Sequence, residues 1–351
     1  VSGEVCRAAA VALTGVQGTI VMVEAAVSQQ LPGMAIIGLP DTALTEAKMR
    51  VRMATTQAKM PLSDRFLLVN LSPAALPKQG SGFDLAIALS ALAASRHLPA
   101  DRLAETAHIG ELGLDGGLRR PAGLLTATLA ARDLGFQRVM VPERGGAEAA
   151  LVPGIEVIAA RDLAGAVAWY RGESDGWRVM PAGGEAGGAS AKQLADSDID
   201  MSDVIGQAEA VEAMTIAAAG RHHVSLLGSP GAGKTLLATR LPTILPDLTP
   251  EESITASSIA SLGGSPLSGL IRRPPFESPH HSASAVSIIG GGAGSEVRPG
   301  AMTLACHGVL FLDEAPSFLA RCSNRCDSRS NRERLKFIDP GCARYSPQTC
   351  S

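Results

Sequence analysis

The stretch "HVSLLGSPGAGKTLLATRL", residues 223–241, decides the fold. Its first apolar residues read as a short strand, its centre as a glycine-rich turn, and "KTLLATRL" as a helix. Gly228, Ser229, Pro230, Gly231, Ala232, Gly233, Lys234 and Thr235 spell the phosphate-loop pattern, with Gly228, Gly233, Lys234 and Thr235 at its fixed positions. Glycines let successive backbone N–H groups turn inward toward a polyphosphate, and the helix that follows points its positive end at the same place. Lys234 is placed to reach the outer phosphates and the Thr235 hydroxyl to ligate a divalent cation. The cofactors implied are ATP and Mg2+.

Holding phosphates is not hydrolysing them, so a carboxylate station is expected on a neighbouring strand. "VLFLDEAP", residues 309–316, supplies it. Four apolar residues predict a buried strand, and Asp313 stands at its C-terminal end, where α/β sites open. Asp313 is expected to organise Mg2+ through its water shell. Glu314, with Lys234, is the catalytic candidate, polarising the attacking water.

A chain of 351 residues, 46% of them hydrophobic, is long enough for two domains with real cores. Its 31 Lys and Arg against 34 Asp and Glu leave a net charge of -3, so no global basic field points to nucleic acid. The pairs available for a local contact are few: Arg272 with Arg273, and Arg298. No apolar run approaches a membrane span, and the opening residues lack the pattern of a signal peptide, which reads as cytoplasmic and without a membrane partner. Val1 in place of Met reads as a fragment or as a literally translated alternative start codon.

Residues 8–170 alternate short β-branched runs with helical ones. "GTIVMVEAAV", "MAIIGLP", "FLLVNLS", "RVMVP" and "IEVIA" predict strands; residues 41–59, 83–95 and 122–134 predict helices. No Gly-rich dinucleotide turn interrupts them, so a mixed α+β domain over residues 1–172 is expected. Residues 173–200, dominated by Gly, Ala and Ser, read as a flexible connector. A second, α/β domain with the phosphate loop then runs over residues 201–316, opening with a helix from Gln207 to Ala219.

These residues carry a family resemblance. "DVIGQAEAVEAM", "GSPGAGKT", "RRPPFESPHHSASAVSIIGGG", "RPGAMTLACHGVLFLDEAP" and, earlier, "GLPDTALTEAKMRVR" and "NLSPAALPKQGSGFDLAIALSAL" resemble the magnesium-chelatase-like AAA+ ATPases of the ComM/YifB family. The resemblance implies that Ile205 and Gly206 lie near the adenine, and that "SPHHSAS" and "IIGGGAG" belong to insertions near a ring pore. It implies a homo-oligomer, a hexameric ring in the intact family, and DNA as partner, with ATP-driven branch migration during transformation as the activity. A magnesium-chelatase-type motor subunit and a nucleotide-binding remnant without turnover are the alternatives. His280 and His281 are adjacent and cannot share one helix face, so they read as a surface turn rather than a zinc site.

"LSPAALPKQGSGFD" and "HIGELGLDGGLRRPAGLLTATLAARDLGFQRVMVP" are similar to the proteolytic domain of Lon-type proteases, a fold shared with domain 2 of ribosomal protein S5. Such a protease needs a serine activated by a lysine. The alignment puts Gly82 in the serine's place and Leu125 in the lysine's, while Ser81 is one position off and Lys78 reads as a solvated loop residue. A scaffold or recruiting surface follows, not a protease.

Residues 317–351 hold four Cys, six Ser and six Arg with no amphipathic period. The expected continuation of the family, with its sensor strand, arginine finger and helical lid, cannot be found there. Cys322, Cys326, Cys342 and Cys350 lack Cys-x-x-Cys spacing, which argues against zinc. A disordered tail is one reading of this change of style; a reading-frame shift near residue 316 or 317 is the preferred one, and it predicts a sheet short of one parallel strand, with an apolar edge exposed.

Overall fold

A computed structural model of the chain describes residues 5–28, 31–38, 41–62, 66–73, 82–181, 199–291, 298–313 and 333–337. The chain divides into two compact units, Val1–Gly187 with Gly264–Gly269, and Gly188–Gly263 with Leu270–Ser351.

The first unit is built on a mixed eight-stranded sheet. Its elements are β1 (Cys6–Thr14), β2 (Gln17–Ser28), β3 (Gly33–Ile37), α1 (Asp41–Gln57), β4 (Phe66–Ser72), α2 (Asp84–Ala94), β5 (Thr106–His108), β6 (Glu111–Leu112), β7 (Leu118–Arg119), α3 (Leu124–Asp133), β8 (Arg138–Pro142), α4 (Gly146–Ala149), β9 (Glu156–Ala160), α5 (Leu163–Arg171) and β10 (Trp177–Met180). The order across the sheet is β10-β9-β8-β5-β1-β2-β4-β3. Pairing is parallel from β9 through β8 and β5 to β1 and again between β4 and β3, and antiparallel elsewhere.

Helices cover both faces. α2, "DLAIALSALAA", is apolar almost all round, so it can only be a buried helix. It packs against the face that carries Ala8, Ala10, Val21 and Val23. α3 lies on the other face, so close that a Cβ on Gly18 would stand 2.2 Å from the Ala130 Cβ. The three helices and five strands expected in this region are all present, within a few residues. One boundary is corrected: Trp177–Met180, counted above into the connector, pair antiparallel with β9 as the edge of the sheet. Of that connector, residues 182–198 lie outside the described residues.

The second unit contains α6 (Ala208–Ala219), β11 (Val224–Leu226), α7 (Lys234–Arg240), α8 (Pro250–Leu262), β12 (Phe276–Glu277), α9 (Ala285–Ile289), β13 (Gly290–Gly291), β14 (Arg298–Pro299), α10 (Ala301–Leu304), β15 (Val309–Leu312) and β16 (Glu333–Phe337). Thr249 caps α8, its hydroxyl accepting from the Glu252 N–H while the Glu252 carboxylate accepts from the Thr249 N–H. Met201, Met214, Leu237, Ala238, Leu241, Val309 and Phe311 close the core. The expected strand at residues 309–312 is buried as its composition demands, with Phe311 only 1% exposed.

The second sheet runs β11-β16-β15-β12. Where the sequence predicts a sheet short of one parallel strand with an apolar edge exposed, a strand from beyond residue 316 instead lies between the phosphate-loop strand and the carboxylate strand. Glu333–Phe337 pairs antiparallel with both neighbours, Leu335 facing Val224 on one side and Phe311 on the other. Among the described residues no helix is long and apolar enough to cross a membrane.

Candidate nucleotide site

The loop from Leu227 to Gly233 leaves the C-terminal end of β11 and enters α7. Gly231 and Gly233 both take left-handed backbone angles, φ 80 and 79, the kind of turn from which anion-binding loops are built. Around Gly231 there is open space where a side chain would stand. At Gly233 the left-handed conformation disfavours any side chain, and a Cβ would lie 2.6 Å from the amide nitrogen at the end of the Gln207 side chain.

Lys234 donates from Nζ to the carbonyls of Gly228 at 2.9 Å and Ser229 at 3.3 Å. The ammonium is thus held over the loop's own backbone, in the region where phosphate oxygens would replace those carbonyls. Gly228, Ser229, Pro230, Ala232 and Thr235 are exposed.

Because β11 and β15 are both antiparallel to β16, they are parallel to each other, and their C-terminal ends share one edge of the sheet. Asp313 follows β15 at that edge, half-buried. It stands two strand spacings, roughly 10 Å, across from the phosphate loop's strand. The fold thereby brings Asp313 and the Gly228–Thr235 loop to one side of the sheet. Glu314 lies outside the described residues.

Before α6 the chain forms a turn anchored by Asp200, whose carboxylate accepts from the Ser202 N–H at 2.9 Å. That backbone N–H holds the Asp200 carboxyl below its ordinary range. Met201 and Val204 point into the core, while Ile205 is 89% exposed and Gly206 has φ 79. Gln207 follows, its amide donating to the Ala232 carbonyl at 3.4 Å. Sequence reasoning used Gln207 only as the start of a helix; the contact it makes with the phosphate loop joins segments about 25 residues apart and leaves no local signal.

The remaining candidates behave as side chains of other places. The rings of His280 and His281 lie 4.0 Å apart between centroids, tilted by 37°, and His280 Nδ1 lies 2.7 Å from the Ser282 hydroxyl. Among the described residues, no group of three or more His, Cys, Asp or Glu is placed to hold a metal ion. Arg272, Arg273 and Arg298 are exposed. In the first unit Leu125 is buried, 1% exposed, so an apolar side chain stands where a protease would need its lysine. Gly82 offers no nucleophile, and Ser81 and Lys78 lie outside the described residues.

Comparison with known proteins bears on both units. Residues 200–326 match the family described as "Magnesium chelatase, subunit ChlI", and residues 23–145 the one described as "Subunit ChlI of Mg-chelatase". The chain is 45% identical over 312 residues to an uncharacterised protein of Mycobacterium tuberculosis, covering 88% of this chain and 60% of that one. It is 39% identical to the competence protein ComM of Haemophilus influenzae, over 87% of this chain and 59% of ComM. To YifB of Escherichia coli it is also 39% identical, over 88% and 59%. The chain thus spans about 60% of the length of these curated relatives. A shorter likeness, 46% over 57 residues, links 16% of this chain to an archaeal Lon protease of Archaeoglobus fulgidus.

Proposed function

The chain belongs to the ComM/YifB family of magnesium-chelatase-like proteins, and from that premise we propose that its second unit binds ATP with Mg2+ as the motor of a DNA-remodelling ATPase. The observation that carries this reading is the placement of the left-handed Gly231 and Gly233 loop, Lys234 and Asp313 at one edge of one sheet.

The residues present fit a magnesium nucleotide. A glycine-rich loop ahead of a helix offers backbone N–H groups to phosphate oxygens, Lys234 exchanges two backbone carbonyls for them, and the Thr235 hydroxyl and Asp313 carboxylate are hard oxygen donors of the type Mg2+ takes. The cation supplies charge neutralisation between phosphates. The protein's own part is to orient the polyphosphate and, through Glu314, to accept a proton from attacking water. Ile205 and Gly206 supply a platform for the base.

The DNA substrate and the ring come from the family and from the name of the Haemophilus relative, which is a competence protein. On this reading the chain is a subunit of a homo-oligomeric, hexameric assembly acting on branched DNA. Its first unit, Lon-like in fold with Gly82 and Leu125 in the dyad positions, serves as scaffold rather than protease.

Calorimetric titration of the chain with Mg2+ and a non-hydrolysable ATP analogue tests the site. Lys234→Ala is expected to weaken binding at least about tenfold, the size of a lost charge-assisted contact. Equal affinity in the two proteins would remove Lys234 from the site and the reading with it.

A further inference from the structure

α1 turns one side to the core of the first unit and leaves the other uncovered. Ala47, Val51 and Ala54 pack into that core. At about 100° per residue, Met49 and Met53 come up on the opposite side, one turn apart. They are 62% and 43% exposed, at positions where a surface helix normally carries polar residues. The turn between β6 and β7 comes against the last turn of the same helix, where a Cβ on Gly116 would stand 3.8 Å from the Gln57 Cβ. That turn carries Leu114, which is exposed as well.

Beside the methionines runs a lane of cations. Lys48 and Arg52 are also one turn apart, and among the described residues neither meets a carboxylate. Arg50, between them in sequence, lies on the inner side, where Asp84 and Glu46 take it. Glu46 is thus already engaged, and the face keeps two uncompensated positive charges next to two bare thioethers.

The two lanes together select their occupant. Nucleic-acid phosphates would answer the cations but bring nothing apolar to the methionines. A second copy of the face brings the same two cations. A strand docks through backbone groups at a sheet edge, which a helix does not offer. An amphipathic helix with acidic residues flanking an apolar stripe answers both lanes, because its side chains recur with the same one-turn spacing. Methionines are flexible enough to fit whichever apolar side chains it carries.

We propose that the outer face of α1, made of Lys48, Met49, Arg52 and Met53, is a docking surface for an acidic amphipathic helix of another protein. The test follows fluorescence anisotropy of the full chain with a labelled peptide of about three heptads, leucines on one stripe and glutamates beside it, and with its counterpart carrying lysines for glutamates. The acidic peptide is expected to bind at least about tenfold more tightly than the basic one. Lys48→Glu with Arg52→Glu should weaken it about tenfold, and raised salt should weaken it in the parent. Met49→Gln with Met53→Gln places good helix formers at exposed positions, so thermal stability should hold while affinity falls about fivefold or more.

Equal binding of the two peptides, or either double variant binding as the parent does, would overturn the proposal. A single-stranded oligonucleotide that displaces the peptide, and binds the Met49→Gln, Met53→Gln protein as tightly as the parent, would make the face a nucleic-acid contact instead. A dimer in sedimentation that the same methionine variant abolishes would assign the face to a second copy and overturn the proposal likewise.

Discussion

Arg50 and Asp84 form a buried ion pair in the first unit, and removing the arginine should cost more than removing the aspartate. Arg50 donates to the carboxylate twice, Nε to Oδ2 at 2.6 Å and Nη2 to Oδ1 at 3.1 Å, and the Leu112 N–H donates to Oδ2 at 3.3 Å. Asp84 is 2% exposed and Arg50 21%. Arg50→Ala therefore strands a carboxylate that cannot reach water, which costs about 3–5 kcal/mol. Asp84→Ala strands a guanidinium that still reaches solvent and retains Glu46 at 3.5 Å, so the loss is about 2 kcal/mol.

The pH dependence separates this account from a loss of packing. Burial pushes the Asp84 carboxyl above its ordinary range, although Arg50 opposes the shift. An acid with a raised folded-state pKa binds its proton more tightly when native. Stability is then highest below the unfolded pKa and falls as pH rises toward the folded one. Without Arg50 that window widens upward, so the deficit of Arg50→Ala should be larger at pH 7.5 than at pH 5. Urea denaturation followed by tryptophan fluorescence reads this unit directly, because both tryptophans of the chain, Trp169 and Trp177, lie in it. An Asp84→Ala variant as unstable as Arg50→Ala, or a deficit indifferent to pH, would refute the reasoning.

Two further outcomes are expected. Fully buried His108 lies 2.9 Å from the Ala9 carbonyl through Nδ1, which must donate there, and 2.6 Å from the Tyr170 hydroxyl through Nε2; burial lowers its pKa from 6.5 to about 4. The unfolded chain alone takes up the proton between those values, so stability should drop by roughly 3 kcal/mol as pH falls from 6.5 to 4, and His108→Gln should flatten that slope in the same urea assay. Leu335→Pro deletes an N–H from the middle of the second sheet, and hydrogen exchange should show protection lost at residues 224–226 and 309–312 together; unchanged protection would mean that β16 does not bridge them.

What the sequence made legible was local. The run "VLFL" announces a buried strand because four apolar residues have no other place to go, and "GSPGAGKT" announces its turn because only glycine accepts φ near 80 at Gly231 and Gly233. β1 was harder to see: "CRAAAVALT" is alanine-rich, and it is a strand because β2 and β5 pair with it on either side. Gln207 was hidden for a similar reason: its contact with the Ala232 carbonyl joins segments about 25 residues apart and belongs to no pattern of spacing. The burial of His108 and Asp84 is likewise a property of the packed sheet, since nothing in their neighbours' identities marks them as enclosed.

The strand at residues 333–337 shows where composition misleads. "ERLKF" carries three charges in five residues and sits in a segment without apolar period, so its local preference for a strand is weak. β11 and β15, however, stand parallel with one strand's width between them, and each turns a row of N–H and C=O groups toward that space. Buried backbone groups must be paired, and the pairing is blind to side chains except proline. A five-residue segment can satisfy both rows in either direction, and here it does so antiparallel. The demand comes from the two flanking strands. That is why the phosphate loop and Asp313 can share an edge with an antiparallel strand standing between their own two parallel strands.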